Sequence, residues 1–183
     1  MVIDLQDWIV ALPTVHPAGD IVARSREMAD AFRAAGRPVV LVTVAGGAPG
    51  RTDQGAGPAR PVGWDVLVPQ INPQPTDHLV VKRTWGAFTC TDLDAHLRGA
   101  GVTQIVLAGI ATSLGVESTA RFAHELGYNV TIAVDAVTDV SMAAHANAVS
   151  YIFPQLGTTA TSSQIIELVT AAGSAHPTEE VRP

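Results

Sequence analysis

The sequence predicts an α/β fold of three layers, α/β/α, with a parallel sheet covered by helices on both faces. Two observations carry this expectation. Short runs such as residues 39–44 (VVLVTV) and 105–108 (IVLA) are apolar at every position rather than at every second one. Strands buried on both faces read that way. Between such runs recur segments with apolar residues at helical spacing, and alternation of strand and helix indicates parallel crossovers. At 183 residues the chain is long enough for one domain with a proper core, and residues 1–183 are read as a single domain.

Each element follows from its residues. Val2 and Ile3 end a short strand that leads into Asp4. Residues 19–35 form a helix, because Ile21, Ser25, Met28 and Phe32 fall near one face and Gly36-Arg37-Pro38 stops it. Residues 39–44 make the second strand, and His78 to Lys82 the third. Thr91 can cap a helix that carries Leu93 and Leu97 and ends at Gly99-Ala100-Gly101. The apolar run 105–108 stops at Gly109, and a helix covers residues 115–126. A strand over 129–134 ends in Asp135, and helices over 141–152 and 162–172 complete the series. No internal repeat is present. The polar tail SAHPTEEVRP is expected to be loosely held.

One stretch breaks this rhythm. Residues 45–76 hold six of the 12 prolines and six of the 16 glycines, and a connection so long is typically a lid, a binding loop or a tolerated insertion. Trp64, Val66 and Leu67 give it apolar surface to bury, which suits a lid or an oligomer contact as well as a bland surface loop.

Composition excludes several classes. The net charge of −6 and the lack of a basic stripe argue against nucleic acid as a partner. No apolar run approaches the roughly 18 residues of a membrane helix. Asp4 and Asp7 interrupt the only apolar stretch at the start, so neither a membrane span nor a signal peptide is expected. Cys90 is the one cysteine, which forbids an internal disulfide and fits a cytoplasmic location.

Chemistry is expected at the carboxyl ends of the strands, where open parallel sheets bind ligands. Those ends carry Asp4, Thr43-Val44, Lys82-Arg83, the segment 109–115 and Asp135. An acid and an ammonium directly after apolar runs, as at Asp4 and Lys82, can favour each other's charged forms if held together. They serve equally as a structural ion pair. The turn 109–115 offers backbone amides at a helix start, with Gly115 leaving approach unobstructed. A serine mechanism is the weaker alternative: Ser113, Asp135 or Asp139, and His145 follow in hydrolase order, but the spacing is wrong. The histidines at 16, 78, 96, 124, 145 and 176 show no metal-ligand spacing. Cys90 stands at a helix start that could lower its pKa, although a buried structural thiol is the plainer expectation.

Three segments carry a resemblance. VIDLQD, VVKRTWGAFTCTDLDAHLRGAGV and LAGIATSLGVESTARFAHELGYNVTIAVDA resemble, in that order, the aspartate strand, the lysine segment and the nucleophile turn of the isochorismatase-like hydrolases. That superfamily includes nicotinamidases and other cysteine amidohydrolases. The resemblance implies a Rossmann-like parallel sheet of five or six strands, with Asp4 as the acid–base aspartate and Lys82 as the lysine. The cysteine nucleophile should directly precede Val116, and that position is Gly115. The resemblance further implies a cis peptide between Ile110 and Ala111 that aims the amides of Ala111 and Gly115 at an oxyanion. Metal-binding nicotinamidases carry an aspartate–histidine cluster in the region matching 45–76, where no histidine occurs here, so neither metal nor other cofactor is implied.

The expectation is therefore a hydrolase that acts on a small molecule by Asp4/Lys82 acid–base chemistry, without a covalent thiolate step. Gln6, Trp8, Trp85, Phe88 and Thr112 are the candidate substrate-binding residues. Relatives commonly form homo-oligomers, which this chain is expected to share. The alternative is a catalytically silent binding or scaffold homologue of the same fold, since loss of a nucleophile is a common origin of such proteins.

Overall fold

The computed structural model describes residues 1–53, 55 and 60–174. The expectation for the tail falls outside these residues, as do positions 54 and 56–59 of the long loop. The chain runs β1 (Val2–Ile3), α1 (Asp7–Val10), α2 (Ala18–Ala34), β2 (Val40–Val44), β3 (His78–Lys82), α3 (Leu93–Gly99) and β4 (Gln104–Ile110). A π turn (Thr112–Val116), α4 (Glu117–Glu125), β5 (Asn129–Thr138) and α5 (Met142–Asn147) follow. A second π turn (Ala148–Ile152), α6 (Phe153–Leu156), β6 (Thr158–Ala160) and α7 (Ser162–Ser174) complete it.

All six strands are parallel, in the order β3-β2-β1-β4-β5-β6. The chain builds outward from β1 to β3, then returns to place β4 on the other side of β1. Connections therefore diverge in opposite directions after β1 and β4, which opens a crevice at their carboxyl ends.

Helices cover both faces of the inner strands, whereas edge strand β3 leaves Leu79 and Val81 exposed. On one side Ile21, Val22 and Ala29 of α2 pack with Val2 and Leu41, while Ile165 of α7 and Met28 pack on Ala108 and Ala133. On the other, Leu93 and Leu97, Ala120 and Ala123, and Phe153 close over Ile3, Val42, Val80, Leu107 and Ile132.

β1 and β4 approach each other closely at Gly109. It pairs with Ile3 and has φ 126°, and a Cβ placed there would collide with the Ile3 carbonyl oxygen. Only glycine tolerates both the backbone angle and the contact. The ladder to β5 shifts register at the same point, between Leu107 and Gly109.

The structure departs from the sequence expectations at identifiable places. β5 continues past Asp135 to Thr138, because Ala136, Val137 and Thr138 are buried and the last two pair with Gly109 and Ile110. Asp135 consequently sits within the strand, where it accepts from the backbone N–H and hydroxyl of Ser162, 2.7 Å each. The acid at the strand's carboxyl end is Asp139. β6, three residues long, is too short to leave an apolar signature, yet it makes the sixth strand. The helix expected over 141–152 is α5 and a π turn, and it runs on into α6. Asp92 occupies the N-cap position of α3 without a side-chain cap bond, while the Thr91 hydroxyl accepts from the Leu93 N–H at 3.4 Å and donates to the Ala87 carbonyl at 2.6 Å. Cys90 is exposed rather than buried, with a left-handed φ of 55° in the turn preceding α3. No helix among the described residues is long and apolar enough to cross a membrane.

Gly109→Ala is expected to destabilise the fold by at least about 2 kcal/mol, because it adds a forbidden backbone angle to a collision with β1. Chemical denaturation of the variant measures this, and wild-type stability would contradict the close approach.

Candidate active site

The crevice between β1 and β4 is occupied by an ion pair. Asp4 is the residue after β1, and its φ of 56° is uncommon for a residue with a side chain. Its carboxylate lies on the same side as Ile3, since both border the space beside Gly115. Lys82, the last residue of β3, reaches across the carboxyl edge of the sheet. Its Nζ donates to Asp4 Oδ2 at 2.7 Å and to the Thr84 carbonyl at 3.2 Å. Side-chain exposure is 1% for Lys82 and 6% for Asp4.

The pair is unequally satisfied. Asp4 Oδ1 is buried and has no hydrogen-bond partner among the described residues. Burial outweighs the attraction of Lys82 and pushes the Asp4 carboxyl up to about 6. A carboxyl so placed can hold a proton and release it near neutrality.

Gly115 completes the centre. A Cβ on it would lie 2.9 Å from Asp4 Oδ2 and 3.1 Å from Ile3 Cγ2, so the carboxylate already uses the space a side chain would need. The strand-to-turn corner contains a cis peptide between Ile110 and Ala111, where the resemblance placed one. The turn is tied down on both sides: the N–H groups of Leu114 and Val116 donate to the Ala111 carbonyl, 3.2 Å each. The Thr119 hydroxyl donates to the Gly115 carbonyl at 2.7 Å and accepts from the Ala87 N–H at 3.1 Å. That hydroxyl links α4 to the segment following the lysine strand.

The candidate pocket residues separate in space. Gln6 is fully buried, and its amide bridges the Val44 backbone, accepting from N–H at 2.7 Å and donating to C=O at 3.1 Å. Phe88 is half-buried, stacked 5.8 Å from the Tyr128 ring in the α3/α4 layer. Trp85 is 61% exposed, one residue beyond the Thr84 carbonyl that Lys82 binds. Trp8 is half-buried on α1, with the Arg60 guanidinium 5.9 Å from its ring and 4.0 Å from that of Trp64. The returning end of the long loop lies against the Asp4 segment: Asp7 N–H donates to the Val66 carbonyl, and Val68 N–H to that of Leu5.

Sequence reasoning named the members of a second polar group under the turn but not their pairing. Thr112, fully buried, lies with Oγ1 2.9 Å from His145 Nδ1. Ser113 donates both its N–H and its hydroxyl to Asp139 Oδ2, 2.8 Å each. The serine-triad alternative is corrected by this arrangement, because the imidazole goes to Thr112 and the serine goes to the acid. The apolar run continuing from Asp135 through Val137 was the available signal that Asp139, not Asp135, ends the strand.

Comparison with known proteins supplies the remaining context. Residues 1–164 match the family model of the isochorismatase domain. The chain is 40% identical over 177 residues to the uncharacterized isochorismatase family protein YwoC of Bacillus subtilis, covering 92% of each chain. It is 36% identical over 137 residues to streptothricin hydrolase of Streptomyces noursei, covering 74% of this chain and 48% of that enzyme. Among solved structures, an isochorismatase family protein from Burkholderia thailandensis superposes with a TM-score of 0.85 at 44% identity, over 93% of both chains.

Two outcomes test this geometry. Gly115→Ala should force the Asp4 carboxylate from its place and cost about 1–3 kcal/mol, the usual penalty of overpacking. A crystal structure of the variant with the 2.7 Å contact to Lys82 intact would contradict that. Lys82→Met should destabilise by about 3–5 kcal/mol, since it strands a buried carboxylate, and Asp4→Asn added to it should recover part of the loss. Additive denaturation free energies would instead mean the two groups are uncoupled.

Proposed function

The chain belongs to the isochorismatase family, and we propose that it is a hydrolase that acts on a small molecule by acid–base chemistry at Asp4. The observation that carries this reading is the Asp4 carboxyl itself. One oxygen is held by Lys82 and the other has no partner among the described residues, at the crevice where open sheets bind ligands.

In this reading Asp4 gives a proton to the leaving group or takes one from the attacking water. Burial and Lys82 pull its proton affinity in opposite directions and leave it near 6, within reach of both roles. Lys82 supplies a fixed positive charge that stabilises the carboxylate after proton transfer and attracts negative charge developing on the substrate. The backbone amides of Ala111 and Gly115 serve the developing oxyanion. Gly115 replaces the nucleophile of the cysteine hydrolases, so water attacks directly and no thioester forms. Cys90, in the turn before α3, takes no part. The exposed ring of Trp85 and that of Trp8 are the aromatic groups offered to a substrate; Thr112 acts through its backbone position. Contact between Asp4 and Lys82 favours this reading over a silent scaffold, which has no use for a strained aspartate beside a buried ammonium.

The test is turnover of a panel of small amides, esters and vinyl ethers. Asp4→Asn should lose roughly 100-fold or more in rate on any substrate found, while Cys90→Ser should match wild type. A general-acid Asp4 loses turnover as pH rises through about 6, and a general-base Asp4 gains it. Full activity in Asp4→Asn, or a flat rate profile across about pH 5 to 7, would overturn the mechanism.

A further inference from the structure

The turn that carries Gly115 is held from beneath by a group the acid–base chemistry does not use. His145 lies on α5 with 8% exposure, and its Nδ1 is 2.9 Å from the buried hydroxyl of Thr112. Thr112 opens the π turn and follows Ala111, three residues before Gly115. The adjacent residue is anchored by a separate device. Asp139 Oδ2 accepts from the N–H and hydroxyl of Ser113, and Asp139 Oδ1 accepts from the Ser141 N–H at 3.2 Å. Ser141 in turn caps α5, accepting from the Ala144 N–H at 3.3 Å. The start of α5 and the start of the turn are thus tied at two neighbouring points, one through a carboxylate and one through an imidazole.

We propose that His145 is a positioning residue of the Asp4–Gly115 site, fixing the turn Thr112–Val116 against Asp4 through the Thr112 hydroxyl. The importance of that position rests on the function proposed above; the coupling itself does not. Gly115 borders the Asp4 carboxylate with no room for a side chain between them, since a Cβ there would stand 2.9 Å from Oδ2. A small displacement of Thr112 therefore reaches the ion pair directly. Asp139 fixes the backbone of Ser113, and His145 fixes the side chain one residue nearer the cis corner.

The coupling has a protonation signature. The neutral imidazole can accept the Thr112 hydroxyl at Nδ1, whereas the imidazolium can only donate there, so protonation obliges the hydroxyl to turn. Two titratable groups face the ring. His16, in the segment before α2, meets it edge-on at 4.9 Å between centroids, and Asp139 follows β5. Burial first, and then His16, hold the imidazole below its ordinary range, against the opposing pull of Asp139. A depressed imidazole contributes stability above its unfolded-state value, and that contribution is lost as pH falls through the folded-state value.

Amide ¹⁵N NMR of the whole chain, titrated with acid, reads this without a substrate. The Thr112 amide, the one farthest from Asp4 in the turn, should show a shift with the same midpoint as the His145 ring, below the ordinary imidazole range. His145→Asn can keep a polar atom near the Nδ1 position without titrating. It should retain the high-pH shifts of the turn and remove the part of their pH dependence that follows the ring, leaving any part that comes from Asp4 or Asp139. Thr112→Val removes the hydroxyl at nearly constant shape and should leave the ring titrating while the turn no longer follows. Turn amides that ignore the His145 titration in wild type, or still follow it in Thr112→Val, would overturn the proposal. Neither result depends on turnover, so failure of the hydrolase reading in Asp4→Asn is separately visible.

Discussion

The Asp4–Lys82 ion pair is the constraint around which the carboxyl edge of this sheet is arranged. Two opposite charges with 6% and 1% side-chain exposure are expensive to take from water, and their attraction offsets that cost only in good geometry. Three elements cooperate to supply it. β1 ends at Ile3 and turns Asp4 through a left-handed angle, β3 ends with Lys82, and β4 delivers a turn whose glycine leaves room for the carboxylate. Among the described residues Asp4 Oδ1 has no hydrogen-bond partner, which leaves it available to a bound molecule. Buried polar atoms are nearly always paired in folded proteins, and exceptions concentrate where chemistry is done.

The same constraint explains the glycines that matter. Gly109 lets β1 and β4 approach until a Cβ would strike the Ile3 carbonyl oxygen, which brings Asp4 beside the turn after β4. Gly115 then faces the carboxylate with no side chain between them. The space a side chain at Gly115 would need is shared by Asp4 Oδ2 and Ile3 Cγ2. The packing at this point fits a glycine.

Support for the centre comes from polar contacts far apart in sequence. Thr119 joins the Gly115 carbonyl to the Ala87 N–H, Asp139 joins Ser113 to Ser141, and His145 meets Thr112. Gln6 closes the other flank by bridging the backbone of Val44. A residue read from the sequence as a substrate ligand thus serves to hold β2 against the Asp4 segment. The reason is its burial, which would leave the amide unsatisfied unless both ends found backbone partners.

What the residues alone determined was the architecture and the acid and ammonium at its strand ends. Fully apolar strands alternating with helices imply a covered parallel sheet, and every strand except the three-residue β6 announced itself by that pattern. Asp4, Lys82 and the glycine turn stood at strand ends, where the fold class directs attention, and the segment resemblance assigned their kinship. Only the tertiary structure decided which groups meet. Strand ends diverge by sequence but converge in space according to strand order, so the partners of Thr112, Ser113 and Gln6 could not be read from spacing. Asp135 and Asp139 make the point most sharply. The two acids look interchangeable in the sequence, yet continued pairing of β5 with β4 carries the first into the sheet and leaves the second at its edge, beneath the turn.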